Sequence, residues 1–100
     1  MYGTVARMKV KAGAEEQFMA LMGQYGQLKI PGYRGSLAYR MDADPREVYL
    51  AVVFESKEDY DRNADSPEQD ARYREMLEFL EGAPEWHDGS IMSDANIVQA

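Results

Sequence analysis

Polar and apolar residues alternate with a period of two at the start of the chain. One face of this segment carries Tyr2, Thr4, Ala6, Met8 and Val10, and the other carries Val5, Arg7, Lys9 and Lys11. A period of two is that of a β-strand, because successive side chains of a strand point to opposite faces. The segment is therefore predicted to be a strand with one face toward solvent.

The spacing becomes helical after Gly13. Apolar residues then recur every three or four positions, at Phe18, Leu21, Met22, Tyr25 and Leu28. Glu15 and Glu16 precede this stripe, where the positive end of a helix dipole favours acidic residues. The pattern predicts an amphipathic helix of about four turns.

Two further strands follow Pro31 and Gly32. The first, Tyr33 to Met41, alternates Tyr33, Gly35, Leu37, Tyr39 and Met41 with Arg34, Ser36, Ala38 and Arg40. The turn-forming stretch DADPRE connects it to Val48–Phe54, so a hairpin is predicted. Residues 48–54 are apolar at every position, which predicts that both faces of this strand are buried.

Two N-cap patterns predict a pair of helices. Ser56 is followed three positions later by Asp59, and Ser66 is followed by Pro67 and by Gln69 at the third helical position. Apolar residues at helical spacing come next, and Gly82 and Pro84 end the pattern; they are Tyr73, Met76, Leu77 and Leu80. The stretch EWHDGSIM then predicts a fourth strand.

This order of elements, βαββαβ, predicts a ferredoxin-like α+β fold: a four-stranded antiparallel sheet with helices on one face. The opposite face of the sheet would expose an apolar patch, since the third strand is apolar on both sides. Two such sheets packed face to face would cover the patch. We therefore expect a homodimer formed through the open sheet face.

Composition restricts the domain count and the partners. One hundred residues, 45% of them hydrophobic, predict a single domain over residues 1–100. The net charge of −7 excludes nucleic acid and anionic membranes as expected partners. The chain has no cysteine, no secretion signal and no apolar run long enough to span a membrane, so a soluble, unprocessed, cytoplasmic protein is expected. The sequence has a single histidine, so it contains no histidine cluster that would predict a metal site.

Several segments carry a resemblance to a known family: VKAGAEEQFMALM, PGYRGSLAYRMDADPREVYLAVVFES, SKEDYDR and SPEQDARYREMLEFLEGAPEWHDGSI. Together they resemble the antibiotic biosynthesis monooxygenase (ABM) family of dimeric α+β barrel proteins. The resemblance implies a cavity between helices and sheet, and in some members the oxidation of polycyclic aromatic substrates by dioxygen without metal or flavin. Haem degradation, known in other members, is disfavoured because the only histidine lies beyond Gly82 and Pro84 rather than on a helix.

His87 is the candidate catalytic residue. It is the only side chain whose ordinary pKa lies near neutrality, so it is the natural group to take a proton from a phenolic substrate. The alternative is a strand-edge residue that is hydrogen-bonded to Asp88 or to the backbone. Strand alternation places Trp86 and His87 on opposite faces, so they are not expected to act as a pair.

Five residues are candidates for binding a substrate. Tyr25 and Tyr73 stand on the apolar stripes of two predicted helices, where they would face the sheet. Trp86 can stack on a planar ligand, and Met22 and Met76 can line an adaptable apolar pocket. Ordinary core or interface packing remains the alternative for all five.

Two functions stay open at this point. The first is a cofactor-independent monooxygenase acting on a small aromatic, quinone-forming molecule. The second is a non-catalytic dimeric module of the same fold that binds a small hydrophobic ligand or serves a structural role. No glycine-rich phosphate loop, nucleophile elbow or paired carboxylates point to another reaction.

Overall fold

The computed structural model describes residues 1–94, and residues 95–100 of the predicted C-terminal tail lie outside the described residues. The elements are β1 (Tyr2–Lys9), α1 (Glu15–Tyr25), β2 (Tyr33–Arg40), β3 (Glu47–Phe54), α2 (Lys57–Ala64), α3 (Pro67–Leu77) and β4 (Glu85–Ser90). The strands form one antiparallel sheet in the order β2-β3-β1-β4. The predicted ferredoxin-like α+β fold is confirmed. The single domain predicted for residues 1–100 stays a prediction.

The core lies between one face of the sheet and the helices. On the inner face of β1, Thr4, Ala6 and Met8 are buried and Tyr2 is partly buried. Ala6 and Met8 pack into a cluster with Leu50 of β3. Phe18 of α1, only 1% exposed, and Met76 of α3 complete this cluster from the helical side. The apolar residues of the strands and those of the helices therefore pack together in one core.

Both predicted N-caps are present. The Ser56 hydroxyl accepts a hydrogen bond from the Asp59 amide at 3.1 Å, and the Ser66 hydroxyl accepts one from the Gln69 amide at 3.1 Å. Each bond satisfies an amide that has no partner within its own helix. These caps divide the chain between β3 and β4 into the two predicted helices, α2 and α3.

Helices α1 and α3 are shorter than their apolar stripes predict. α1 ends at Tyr25, so Leu28 lies beyond it in the loop. α3 ends at Leu77, where the amide of Leu80 bonds three residues back to the Leu77 carbonyl, and Leu80 then bridges to Val10 beside β1. Leu80 is therefore buried beyond the end of the helix, beside Val10, although its spacing continues the helical pattern.

A β-bulge in β2 changes the predicted alternation of this strand. Tyr33 lies opposite Phe54 and Gly35 lies opposite Val53, so Arg34 is the additional residue between them. Tyr33 therefore lies on the helical side of the sheet, where its ring is 5.5 Å from that of Phe54. The sequence prediction placed it on the face of Leu37, and this was wrong. Gly35 has φ of 141°, a conformation that favours glycine at a bulge.

The outer face of the sheet carries exposed apolar side chains. Val5 is 49% exposed, and Leu37 and Tyr39 are each 53% exposed. Tyr49 and Val53 of β3, on the same face, are only partly buried. In a single chain, therefore, only the face of β3 that is turned toward the helices is buried as predicted.

Across residues 1–94, none of the helices is both long enough and apolar enough to span a membrane. The cytoplasmic location expected from the sequence stays a prediction.

Candidate functional site

A cavity of about 450 Å³ lies between the inner face of the sheet and the three helices. The sheet contributes apolar side chains such as Leu50, Val52 and Phe54 to its wall. This volume falls within the range of about 300 to 1,000 Å³ that is typical of small-molecule sites. The cavity is therefore large enough to be a ligand site.

The structure brings together at this cavity all five residues predicted to bind a substrate: Met22, Tyr25, Tyr73, Met76 and Trp86. The centres of the Tyr73 and Trp86 rings are 6.1 Å apart, and their planes are inclined by 54°. Tyr73 approaches from α3, and Trp86 approaches from β4, where it pairs with Ala6. The two rings form an aromatic corner suited to a planar apolar molecule.

Tyr25 is held by a hydrogen bond to the helix opposite. Its hydroxyl donates to the backbone carbonyl of Arg72 at 2.6 Å, which links α1 to α3. The pKa of Tyr25 is raised from 10.0 to about 12, mainly by burial and to a smaller extent by the Glu75 carboxylate, while the Arg72 guanidinium opposes the rise. Tyr25 is therefore a neutral, fixed part of the wall near neutral pH.

A polar network joins α2 to α3 at the cavity. Arg72 donates to the side-chain oxygens of Gln69 at 3.1 Å and of Asn63 at 3.2 Å, and Asn63 donates to Gln69 at 3.3 Å. All three line the cavity. The network holds a guanidinium beside the cavity, where it can stabilise negative charge on a bound molecule.

A second polar group lies where β1, β4 and α2 meet. The Tyr60 hydroxyl donates a hydrogen bond to Asp88 Oδ1 at 2.8 Å. Its ring packs edge-on against Tyr2 at 5.4 Å and against Phe54 at 5.6 Å, which fixes the direction of the hydroxyl. Burial and the Asp88 bond raise the pKa of Tyr60 to about 12, so its proton stays on the phenol.

Thr4 completes this group on the sheet. It is opposite Asp88 in the β1–β4 register, it is 5% exposed, and both residues line the cavity. Within residues 1–94, Thr4 Oγ1 is buried and makes no hydrogen bond. Its hydroxyl lies close enough to Tyr60 to lower the pKa of that phenol in part, but without hydrogen-bonding geometry.

His87 lies on the other face of the sheet. It is opposite Val5 in the register, between Trp86 and Asp88, which both face the cavity. Its Nε2 is 3.2 Å from Glu85 Oε1, and its side chain is 65% exposed. The predicted separation of Trp86 and His87 onto opposite faces is observed. The role of His87 as a proton acceptor stays a prediction, and the structure does not bring it to the cavity with the other candidates.

The Glu85 carboxylate contacts both His87 and Arg7 on the outer face of the sheet. His87 and Arg7 lower the pKa of its carboxyl, with the hydrogen bond to His87 as the larger cause. The ion pair with Arg7 has an N–O distance of 3.4 Å and is exposed to solvent. It is therefore a surface contact of small energetic weight. In the part of the chain that is described, no group of three metal-binding side chains is present.

Sequence reasoning missed most polar residues at the cavity, among them Thr4, Tyr60, Arg72 and Asp88. Two signals were available. Thr4 is the polar residue on the otherwise apolar, inward face of β1, and Asp88 shares the face of Trp86 by strand alternation. Arg72 and Tyr60 had no such signal, because charged and aromatic residues are common on helices and only the tertiary packing directs them inward.

Comparison with known proteins assigns the chain to a protein family. The family model described as "Antibiotic biosynthesis monooxygenase" matches residues 1–75. No protein of curated function matches the sequence.

Solved structures share the fold over almost the whole chain. A mutant of SnoaB, a cofactor-independent oxygenase from Streptomyces nogalater, superimposes with a TM-score of 0.81, covering 95% of this chain and 96% of its own at 13% identity. Rv0793 from Mycobacterium tuberculosis has a TM-score of 0.77, 18% identity and coverage of 94% and 97%. A conserved protein from Methanosarcina mazei Go1 has a TM-score of 0.75, 19% identity and coverage of 88% and 89%. At these identities the likeness shows the fold alone.

Proposed function

The chain belongs to the antibiotic biosynthesis monooxygenase family, and from this premise we propose that it is a cofactor-independent monooxygenase for a small aromatic or polycyclic, quinone-forming substrate. The observation that carries the proposal is the cavity of about 450 Å³ between helices and sheet. It combines an apolar wall and an aromatic corner with a few polar groups, as small-molecule sites do.

In this proposal the substrate supplies the electrons. A base removes a proton from a phenolic or enolic O–H, and the electron pair stays on the substrate as an anion. The anion transfers one electron to dioxygen, which gives a substrate radical and superoxide, and these combine to form the new C–O bond of a peroxide, which takes up a proton. The O–O bond then breaks: the carbon that bears the hydroperoxide loses its hydrogen as a proton, that electron pair forms the quinone C=O, and the outer oxygen leaves as water. The protein contributes deprotonation, orientation and exclusion of water. SnoaB of Streptomyces nogalater, which shares this fold, is a cofactor-independent oxygenase, and this supports the proposed chemistry.

Residues of the cavity are assigned roles by position. Trp86 and Tyr73 would hold the planar ring system, and Met22 and Met76 would fill the space around it. The Arg72 guanidinium would stabilise the substrate anion, since charge-assisted hydrogen bonds are about twice as strong as neutral ones.

The proposed partner is a second copy of the same chain. The outer face of the sheet exposes Val5, Leu37 and Tyr39, and packing two such faces together would bury them. Isologous pairing across a twofold axis is the commonest arrangement of homo-oligomers. His87, also on this face, would then lie in or beside the interface. The cavities open on the opposite side of each sheet and stay separate from it.

A non-catalytic ligand-binding module is the second candidate. It is favoured by the position of His87, because the only imidazole of the chain lies outside the cavity. The same cavity would then bind a small hydrophobic or aromatic molecule without reaction.

Dioxygen uptake with anthrone separates the two candidates. We expect wild-type protein to accelerate uptake above the buffer rate, and Trp86→Ala to lower this acceleration several-fold through lost stacking. His87→Ala is the matched variant at the next position, on the other face. A loss of about a hundred-fold or more in His87→Ala would support the predicted base, whereas retained uptake would assign proton transfer to the cavity. Uptake at the buffer rate with wild-type protein would refute the monooxygenase for this substrate class.

A further inference from the structure

The buried hydroxyl of Thr4 has no hydrogen-bond partner within residues 1–94. A buried hydroxyl normally has a hydrogen-bond partner, since leaving one without a partner costs about 1 to 3 kcal/mol. Within residues 1–94 this oxygen has none, although the residue is 95% buried and lines the cavity. An oxygen or N–H group of a bound molecule would satisfy it.

Asp88 and Tyr60 lie beside this hydroxyl. Asp88 is the cross-strand neighbour of Thr4, and side chains of directly opposed residues have Cβ atoms about 4.5 to 5.5 Å apart. Tyr60 donates to Oδ1 of Asp88, and the carboxylate has a second oxygen and further lone pairs for another donor. Tyr2 and Phe54 hold the Tyr60 ring in place, and the Tyr60 hydroxyl in turn orients one oxygen of the Asp88 carboxylate, whose side chain is exposed to solvent.

From this geometry we propose that Thr4, Tyr60 and Asp88 form a hydroxyl-binding subsite of the cavity, which selects ligands that carry a phenolic O–H. The ligand hydroxyl donates to the Asp88 carboxylate and accepts from Thr4 Oγ1. Tyr60 is a positioning residue that orients Asp88. The ligand class is thus a hydroxylated aromatic ring rather than a plain hydrocarbon or an aryl ether.

This inference rests on the proposed function for the use of the cavity, but it concerns binding and not oxidation. Binding without reaction therefore tests it separately from dioxygen uptake. Two probes differ only in the donor: 2-naphthol has the O–H, and 2-methoxynaphthalene has a methyl group in its place. Anaerobic titration followed by amide chemical shifts gives both the dissociation constants and the site of binding.

We expect wild-type protein to bind 2-naphthol at least about ten-fold more tightly than 2-methoxynaphthalene, because a hydrogen bond to a charged group is involved. Asp88→Ala should reduce this preference to about two-fold or less, and Asp88→Asn should leave an intermediate preference. Thr4→Val, which keeps the branched shape on β1, should weaken the binding of both probes, because each carries an oxygen that can accept from Thr4 Oγ1, whereas Thr4→Ser should retain wild-type binding of both.

Glu85→Ala is the matched control, because it removes a carboxylate from the same strand on the opposite face. It should keep the ten-fold preference. Equal binding of both probes to wild-type protein would overturn the subsite, as would an undiminished preference in Asp88→Ala. Shifts confined to residues away from β1, β4 and α2 would overturn it too. None of these results alters the outcome of the dioxygen assay, so the two proposals fail independently.

Discussion

Gly3 and Gly89 face each other across β1 and β4, but only Gly89 has room for a side chain. A Cβ built on Gly3 would lie 1.8 Å from the carbonyl oxygen of Val52, far inside van der Waals contact. A Cβ on Gly89 has no atom within 4 Å. Gly3 thus permits β3 to pack closely against β1.

Substitution by alanine should lower the stability of the protein at Gly3 but not at Gly89. Gly3→Ala must displace the backbone of β3, so we expect the free energy of unfolding to fall by about 1 to 3 kcal/mol or more, the usual range for overpacking. Gly89→Ala, the matched control, should be neutral or stabilise by a few tenths of a kcal/mol through the unfolded chain. Urea unfolding measures both. Equal destabilisation by the two substitutions would contradict the close approach at Gly3.

The proposed dimer predicts a response to charge on the outer face. Leu37→Glu places a carboxylate in the surface proposed to be buried, so we expect the mass in solution to change from two chains to one. Met19→Glu is the control, because Met19 is comparably exposed, at 41%, but lies on α1. Light scattering at micromolar concentration gives the masses. A wild-type mass of one chain would refute the dimer.

The hydrogen bond of Tyr25 should show in the pH dependence of stability. Tyr25→Phe removes the bond to the Arg72 carbonyl, so we expect a loss of about 1 kcal/mol near pH 9. The folded state holds the pKa of Tyr25 at about 12, above the unfolded value of 10.0. Its contribution is therefore complete below pH 10 and is lost as the pH rises through 12.

The cost of Tyr25→Phe should accordingly be smaller at about pH 11.5 than at about pH 9. Urea unfolding of both proteins at the two values gives the difference. A cost that does not change with pH would mean that the Tyr25 hydroxyl is not held as described.

The N-cap of α3 has a measurable energetic role. Ser66→Ala removes the oxygen that accepts from the Gln69 amide, and we expect the protein to lose about 1 kcal/mol of stability. Ser93→Ala serves as the control, because Ser93 is exposed and lies outside the helices and strands. A thermal or urea midpoint that Ser66→Ala changes no more than Ser93→Ala does would refute the assignment.

The fold was predictable where local chemistry decides the structure. The alternation in β1 and the serine caps of α2 and α3 act through neighbouring residues, so the sequence contains the whole interaction. The bulge at Arg34 and the end of α3 were not predictable in the same way. Tyr33 is turned inward by its contact with Phe54, and Leu80 is buried by Val10, and both partners are distant in sequence.

The site divides along the same line. Candidates on an apolar stripe, such as Tyr73 and Met76, were found because the stripe must face the sheet. The polar residues of the cavity were missed, because their role depends on tertiary contacts. Tyr60 and Asp88, for example, are 28 positions apart and are brought together only by their hydrogen bond in the folded chain. His87 was selected for its intrinsic pKa, a property of the residue type that carries no information about which face of a strand it occupies.

The chain carries its own optical reporter. Trp86 is its only tryptophan, so all indole fluorescence originates from the wall of the cavity. Tyr73, with its ring 6.1 Å away, is close enough to pass excitation energy to the indole. A fused aromatic ligand that absorbs at the indole emission wavelengths would quench this signal on entering. The occupancy of the cavity can thus be followed in the unlabelled protein, with no change to its sequence.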